Sequence, residues 1–446
     1  MTYRELLAGN ADFRRLWAGQ VVSEVGDWLN NIAVLALAIQ LAAPGRVGLA
    51  VATYAIARHL PLFLFGPVAG VVVDRASRRR VMIAADLARA LLALGFLLAN
   101  RLGSLALIYV VGASLFSVSA FFNAAKRASI PNLVGGTDEL LAANSLSAST
   151  TAATIAVGSA LGGVVATALG RDTVFVLNAL TFAASAEMIR RITRLRSRPS
   201  RGAEFGSRTE GRHAPRQSAI PLAYSMLRRA AADFREGLRY VGRDRVLAAV
   251  FVVAAGWGLG NGAARALYSI FGARLGAQAA AAWGALFPAV AERPADFGIS
   301  VLFVAMGLGG VLGAPLARRF NSGAVDGLGA RMGRSLVLDG AGLLVFSLTP
   351  SLFGAAAVLV AREMNFAIWW TAQQTLVMRR TEDRVAGRVF ASFETLTTLM
   401  MVGSILVSGE VADRLGIRPV AAGGGSVVIL SGLLWFVLRR RDEKRR

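Results

Sequence analysis

The sequence predicts an all-α membrane protein with twelve membrane-spanning helices, and three observations lead to this fold class. The 446 residues are 55% hydrophobic and 17% charged, with a mean hydropathy of +0.54, outside the range of ordinary soluble domains. Basic residues concentrate in every second loop. Apolar segments of about 20 residues, the length that crosses a bilayer, begin near positions 13, 47, 80, 103, 141, 172, 246, 297, 334, 351, 387 and 417.

The 49 Lys and Arg residues predict the orientation of the chain. Of these, 38 fall in the termini and in alternate loops, seven in the opposite loops and four within spans. Because cytoplasmic loops carry such an excess, we expect a multi-pass protein of the cell inner (cytoplasmic) membrane with both termini in the cytoplasm. The same distribution accounts for the net charge of +22 without a nucleic-acid partner.

The first span, residues 13–41, carries a polar stripe of Gln20, Glu24, Asp27 and Asn31. Their spacings of four, three and four place them on one helix face. A carboxylate near the middle of a span costs about 2.5–3.5 kcal/mol unless it faces a protein interior or a wet cavity. The stripe is therefore predicted to line a transport pathway, with Asp27 and then Glu24 as proton-coupling residues and Gln20 and Asn31 as cavity lining.

The second span holds Arg58 near its middle. An arginine at that depth needs a partner. Asp27 lies at a similar depth in the first span, so we predict an Asp27–Arg58 ion pair and include Arg58 in the proton-coupling group. The alternative is that Arg58 donates to backbone carbonyls that Pro61 leaves without a hydrogen bond.

A charged motif follows the second span, at the end of the sequence GPVAGVVVDRASRRR. Its members are Gly70, Asp74, Arg75, Arg78 and Arg79. The motif resembles the G-x-x-x-D-R-x-G-R-R/K loop of the major facilitator superfamily, with Ser77 where the family usually has glycine. The glycine is expected to allow close helix approach, and the charges to latch helix ends on the cytoplasmic side. A simple positive-inside anchor is the alternative.

Two further spans of the first half carry motifs. Asp86 and Arg89, three residues apart in the third span, are predicted to form an intrahelical or gate-side salt bridge and are added to the cytoplasmic gate motif. In the fifth span, 158–163 is similar to the G-P-x-x-G-G motif of superfamily antiporters, with Ser159 in place of proline. Close packing through small residues explains these glycines equally well.

Longer stretches resemble one branch of the superfamily, which contains the enterobactin exporter and macrolide-efflux proteins. They are FRRLWAGQVVSEVGDWL, ARHLPLFLFGPVAGVVVDR, IPNLV, FREGLRYV and RVAGRVF. The resemblance implies the major facilitator fold, in which two six-helix halves, 1–192 and 246–438, rock around a midplane site. Residues 439–446 are expected to be a basic cytoplasmic tail.

A basic cytoplasmic linker, 193–245, joins the two predicted halves. Its first part is rich in Arg, Ser and Gly and is typical of a disordered segment. From Leu222 to Val241 apolar residues recur at helical spacing among arginines. We predict an amphipathic helix there that binds anionic lipids of the inner leaflet.

The second half supplies most of the predicted substrate cavity. Its candidates lie in the seventh, tenth and eleventh spans: Trp257, Asn261, Arg265, Arg362, Glu363, Trp369, Trp370, Gln373 and Glu394. Glu410 and Asp413, near the outer end of the eleventh span, are expected to be solvated. The long outer loop 275–297 is predicted to form a short lid helix.

These features predict a proton-coupled efflux transporter for a small, partly hydrophobic molecule such as a drug, macrolide or siderophore. Alternatives are a proton-coupled uptake permease, a lipid flippase of the same fold, or a non-transporting membrane receptor or scaffold. The sequence has no P-loop, G-x-S-x-G or H-E-x-x-H motif, so an enzyme is not expected. No cofactor or metal is predicted, and the protein is expected to be a monomer.

Overall fold

The computed structural model describes residues 2–193, 228, 232, 234–321 and 327–443, and every regular element in these ranges is helical. The predicted all-α class is confirmed. The helices are α1 Tyr3–Gly9, α2 Ala11–Leu41, α3 Val47–Arg75, α4 Arg78–Leu102, α5 Leu105–Leu133, α6 Thr137–Leu169, α7 Arg171–Arg190, α8 234–241, α9 Arg245–Trp283, α10 Pro288–Glu292, α11 Pro294–Asn321, α12 Leu328–Leu348, α13 Leu352–Arg380, α14 Asp383–Leu415 and α15 Ile417–Glu443.

Eleven of the described helices are long and apolar enough to cross a membrane: α2–α7, α9, α11 and α13–α15. The twelfth long helix, α12, has 21 residues and carries three charged side chains, Arg331, Arg334 and Asp339, and it is not among the eleven. It packs between α13 and α15. The predicted arrangement of twelve helices in two sets of six follows from this order, α2–α7 and then α9 with α11–α15.

Successive long helices alternate in direction and so define two ends of the bundle. We call the end that carries α1 and the last turn of α15 the terminal face. The opposite end, with the loops 42–46, 103–104 and 284–293, is the distal face. Helix starts follow local sequence signals. Asp244 caps α9 by accepting hydrogen bonds from Val246 N and Leu247 N, and the first turn of α6 carries the acidic residues Asp138 and Glu139, which favour a helix N-terminus.

The buried apolar residues that the structure describes form one large core shared by the halves, a small shared cluster of Ala52, Ala266 and Ile405, and two cores that are not shared. The shared core lies toward the distal face and joins residues such as Phe175 of α7 with Phe271 of α9. Toward the terminal face, one core holds residues of α1–α7, such as Phe13 and Met82, together with Ile192 just after α7. Another holds residues of α8, α9 and α12–α15, such as Trp435. The halves therefore meet at the distal face and separate toward the terminal face.

The glycine-rich part of α6 lies against α2. A Cβ at Gly162 would lie 2.7 Å from Leu29 O and 2.8 Å from Leu29 Cα, so only glycine permits this backbone approach. The contact is within the first half. Of the two explanations for the glycines in 158–163, close packing through small residues accounts for Gly162.

Two loop predictions are refined by the structure. The loop 275–297 is mostly helical, because α9 continues to Trp283 and the five-residue α10 follows; the predicted short helix is present. In the predicted linker, 234–241 is helical and Val241 is buried, whereas 194–227 lies outside the described residues.

Candidate functional site

An ion pair joins the two halves at the distal face. Arg171, at the start of α7, lies 2.8 Å from Asp296 of α11 through Nη2 and 3.0 Å through Nε. The Asp296 side chain is completely buried. Arg293 also donates to Thr167 O at 2.6 Å. These contacts close the α6–α11 side of the distal face with charge-assisted hydrogen bonds.

The α3–α14 side of the distal face is closed by a helix cap that comes from the other half. Asp413 accepts hydrogen bonds from Gly48 N at 2.6 Å and Leu49 N at 2.9 Å, although α3 has no side-chain cap of its own. A Cβ at Gly48 would lie 2.3 Å from Gly409 O, so the two helices touch through backbone. The expectation that Asp413 is solvated is wrong, because unpaired N–H groups at the α3 start bind its carboxylate.

A central cavity of about 1000 Å³ lies between the halves. Its wall extends along α11 from Phe303 at mid-helix to Arg318 near the terminal face. No hydrogen bond or ion pair joins the halves at the terminal face within the part of the chain that the structure describes. The cavity is therefore closed toward the distal face and accessible from the terminal face.

Four of the residues predicted to line the cavity do so: Asn31, Arg265, Glu363 and Trp370. Asn31 is the member of the α2 polar stripe that reaches the wall. Sequence reasoning missed Trp28, Tyr54, His59, Phe116, Thr151 and Phe366, which also line it. These side chains carry no pattern that separates a cavity wall from ordinary packing, except that His59 and Thr151 are polar within apolar spans.

The other predicted cavity residues do not line the cavity: Gln20, Trp257, Asn261, Arg362, Trp369, Gln373 and Glu394. Most of them are buried behind the wall, where helix contacts rather than the cavity surround them. Glu394 is exposed. It shares a face of α14 with the wall residue Met401, but Glu394 lies two turns closer to the terminal face than Met401. These assignments are corrected because a shared helix face does not determine which neighbour that face meets.

Arg58 does not form the predicted ion pair with Asp27 in this conformation. Its Nη1 donates to Asn31 Oδ1 instead, and its guanidinium lies 4.9 Å from the Trp28 ring centroid and 4.8 Å from that of Phe116. Asn31, one turn beyond Asp27, is the α2 residue level with Arg58. Asp27 has no hydrogen bond or ion pair to another described residue, and it does not line the cavity.

Glu24 lies in a polar cluster on the first half. Its Oε1 accepts from Gln20 at 2.9 Å and lies 3.4 Å from Lys126 Nζ. Its Oε2 accepts from Thr151 and Thr154, each at 3.2 Å. Thr151 lines the cavity, so this cluster extends from the wall into the first half. Sequence reasoning missed Lys126 because its partner lies 102 residues away.

A buried charged network holds the second half together behind the wall. Arg362 lies 3.1 Å from Asp339 Oδ2 and donates to Asn261 Oδ1 at 2.6 Å and to the Tyr268 hydroxyl. Trp257 Nε1 donates to the same Asp339 oxygen at 3.1 Å. Asp339 was missed, although a carboxylate inside the ninth span was the signal that could have found it.

Aromatic rings of the second half form a cluster that adjoins the cavity. Trp257 stacks on Phe366 at 5.5 Å and contacts Trp369 at 4.7 Å between ring centroids. Trp370 lies 5.8 Å from Phe366 and 6.3 Å from Phe393. Phe366 and Trp370 line the cavity, and the other rings support them. Such a wall offers apolar and π contacts to a bound molecule.

The predicted salt bridge between Asp86 and Arg89 is present inside α4, where both side chains are buried. Ser185 Oγ donates to Asp86 Oδ2 at 2.8 Å. The Arg89 guanidinium lies 4.1 Å from the Phe122 ring centroid and 4.5 Å from that of Phe182. The pair thus joins α4 to α5 and α7 rather than the two halves to each other.

The charged motif after α3 is spread over several contacts at the terminal face. Arg78 Nη1 donates to Ala128 O at 2.7 Å, and Arg79 donates to Arg190 O. Asp74 and Arg75 are exposed. A Cβ at Gly70 would meet nothing within 4 Å, so the expected close helix approach at Gly70 is wrong for this conformation, in which the terminal face is open.

The chain is similar to known proteins over most of its length. Residues 16–405 match the family described as "Major Facilitator Superfamily". The "Uncharacterized MFS-type transporter YfiS" of Bacillus subtilis (strain 168) is 26% identical over 97% of this chain and 94% of its own length. The "Putative bacilysin exporter BacE" of Bacillus subtilis is 25% identical over 79% of this chain and 77% of its own.

Solved structures that are similar in fold include two transporters. The nucleoside transporter NupG superposes with a TM-score of 0.64 at 12% identity, covering 96% of this chain and 98% of that one. A bacterial homologue of the human lysosomal transporter Spinster, described as inward-facing and unoccupied, has a TM-score of 0.64 at 13% identity and covers 98% of both chains. Within the described residues, no group of three His, Cys, Asp or Glu side chains is arranged to hold a metal ion.

Proposed function

This chain belongs to the Major Facilitator Superfamily and is a secondary transporter rather than an enzyme, and from that premise we propose that it exports a small, partly hydrophobic molecule in exchange for protons. The observation that carries the proposal is the central cavity, about 1000 Å³ and lined largely by apolar and aromatic side chains. A cavity of this size and lining suits a drug-sized ligand. Drugs, macrolides and siderophores are the expected classes.

Export is the favoured direction of transport. It is supported by the resemblance to the enterobactin-exporter and macrolide-efflux branch and by the similarity to the relative named "Putative bacilysin exporter BacE". An uptake permease or a lipid flippase of the same fold is the second candidate. A receptor or scaffold is less favoured, because the cavity and the buried charges inside the spans have no use in it.

Alternating access is the proposed mechanism. The distal contacts of Asp413 and of Arg171 with Asp296 are broken when the cavity opens on that face. The charged motif with Asp74, Arg78 and Arg79 is proposed to latch the terminal face when that face closes, and the Asp86–Arg89 pair to stiffen the same region. The two halves rock around the cavity between these states.

Proton coupling is assigned to Glu24 and Asp27. Glu24 lies beside the wall residue Thr151 and 3.4 Å from Lys126, so a proton on Glu24 would release Lys126 from its partner. Asp27, on the same face of α2 and without an ion-pair partner among the described residues, is the other coupling carboxylate. Arg58, which donates to Asn31 one turn beyond Asp27, completes the proposed coupling group.

The positive-inside rule supports a cytoplasmic terminal face in the cell inner membrane. At that face, α8 and the start of α14 enclose a cleft with several arginines, namely Arg235, Arg239, Arg243, Arg384 and Arg388. Anionic lipid headgroups of the inner leaflet are the proposed partners of this cleft. The cavity is complete within a single chain, which supports a monomer as the transporting unit.

Expression in an efflux-deficient bacterial host tests the function. The host is grown on a panel of toxic compounds with and without a protonophore, alongside the Glu24→Gln and Asp27→Asn variants. We expect the wild-type chain to raise resistance at least ~10-fold to one or more amphipathic compounds, and the protonophore and both substitutions to abolish the gain.

Matched variants separate loss of coupling from loss of protein. Glu187→Gln removes an exposed carboxylate that pairs with Arg190 and Arg191 and should keep full resistance. Increased sensitivity to the panel would contradict export and favour uptake. Resistance of the wild type that survives the protonophore would contradict proton coupling. Resistance that persists in both carboxylate variants would contradict the assignment to Glu24 and Asp27.

A further inference from the structure

The wall of the central cavity carries more positive than negative charge. Among its described lining residues, Arg58, Arg265 and Arg318 are cationic and Glu363 is the one carboxylate. Most of the remaining wall is apolar or aromatic. Charges in such a low-dielectric site act more strongly on a ligand than the same charges in water.

Arg58 differs from the buried arginines that serve the fold. Arg89 and Arg362 each pair with a carboxylate, whereas no carboxylate of the described residues lies within 4.0 Å of Arg58. Its polar partners are neutral groups, the amide of Asn31 and the hydroxyl of Tyr54. A guanidinium has five N–H donors, so its charge and several donors remain available at the cavity.

The neighbours of Arg58 hold its guanidinium in place without neutralising it. Trp28 and Phe116 lie 4.9 Å and 4.8 Å from its Cζ by their ring centroids, and all three residues line the cavity. Rings cover the faces of a guanidinium and attract its charge. The rings carry no counter-charge, and the N–H groups of a guanidinium bind carboxylates in pairs.

Arg265 brings a second guanidinium from the other half. Its Nη2 lies 4.0 Å from Glu363 Oε1, a long ion-pair distance, and the same carboxylate lies 3.8 Å from Arg362. The next residue, Ala266, packs with Ala52 of α3. Arg58 is six residues further along α3, roughly 9 Å, so both arginines face one region of the cavity.

We infer that the transported molecule is an organic anion, with a carboxylate that Arg58 and Arg265 bind and an apolar or aromatic body that the rings of Trp28, Phe366 and Trp370 contact. This inference rests on the proposed transport function and names its substrate class. Because the two arginines belong to different halves, the bound carboxylate bridges them and is released when the halves separate.

Binding to the purified full chain tests this inference independently of transport direction. Isothermal titration calorimetry in detergent compares 2-naphthoate with 2-naphthamide, a neutral probe of nearly the same shape. The wild type should bind naphthoate at least ~10-fold more tightly, since loss of a charge-assisted hydrogen-bonded pair corresponds to about 1.4 kcal/mol or more. Arg58→Gln should remove most of this preference and leave naphthamide binding within ~3-fold.

Two further variants keep the test decisive. Arg101→Gln, at a side chain that is 71% exposed on the distal face, should bind both probes like the wild type. Arg58→Lys should retain part of the preference and shows that the site tolerates substitution. Equal affinities of the wild type for both probes, no binding of naphthoate, or an unchanged preference in Arg58→Gln would overturn the inference, whatever the resistance assay gives.

Discussion

At the scale of single residues, the buried ion pairs carry the clearest consequences. Asp86 and Arg89 are fully enclosed by α4, α5 and α7. Each charge is tolerable inside the bundle because the other is present. Removing one of them leaves the second without a partner in an apolar surrounding.

Asp86→Asn or Arg89→Met should therefore each destabilise the protein by about 3–5 kcal/mol. The double variant should lose clearly less than the sum of the two single losses, because it leaves no unpaired charge. Thermal unfolding of the purified protein in detergent measures all four proteins. Single variants as stable as the wild type, or strictly additive losses, would contradict a tight ion pair.

The polar stripe of α2 shows how far sequence reasoning reaches at this scale. Helical spacing predicted that Gln20, Glu24, Asp27 and Asn31 share a face, and Gln20 does donate to Glu24, one turn away. The face meets two environments: Glu24 lies near Lys126 of α5, and Asn31 reaches the cavity. Periodicity gives the direction of a side chain relative to its own helix and does not give the neighbouring helix.

At the scale of helices, the crossing of α3 and α14 is a contact between halves that depends on backbone groups. Asp413 caps α3 through Gly48 N and Leu49 N. The spans themselves were predictable from composition. This contact was not, because Asp413 lies 365 residues from Gly48 and a carboxylate at a helix end is usually solvated.

Asp413→Asn should shift the protein toward the state that is open at the distal face. A hydrogen bond to a charged group contributes roughly 1.5–3 kcal/mol, so the ratio of closed to open protein should fall ~10-fold or more. Pulsed electron paramagnetic resonance between nitroxides at Leu102→Cys and Leu348→Cys measures this. The chain has no native cysteine, so only these two sites are labelled.

Asp172→Asn is the matched control for that experiment. Asp172 is also a distal carboxylate, but its partners Asn100 and Arg101 belong to the same half. Its substitution should leave the distance distribution unchanged. Equal effects of the two substitutions, or no effect of Asp413→Asn, would mean that the cap does not hold the distal face closed.

At the scale of the whole molecule, the distribution of the cores explains how the halves can move. The two cores near the terminal face each belong to one half, and the shared core lies near the distal face. Opening the distal face must therefore separate apolar surfaces of the shared core. The two unshared cores can stay intact and keep each half rigid.

Locking the distal face should stop transport without removing the cavity. Cysteines at Arg171 and Asp296 joined by a bifunctional methanethiosulfonate hold α7 against α11. We expect the cross-linked protein to lose transport of a compound identified in the resistance panel, because it can no longer open on that face. Reduction of the cross-link should restore transport. Transport that continues in the cross-linked protein would contradict alternating access through this face.

The buried carboxylate of α12 has a consequence for biosynthesis. Asp339 in a membrane span costs about 2.5–3.5 kcal/mol when it is alone, and its cation, Arg362, lies on α13, which the ribosome makes later. The final position of α12 in the bilayer is thus favourable only once α13 has arrived. Insertion of these two helices is expected to be a joint step, and a nascent chain that stops between them would leave α12 poorly retained in the membrane.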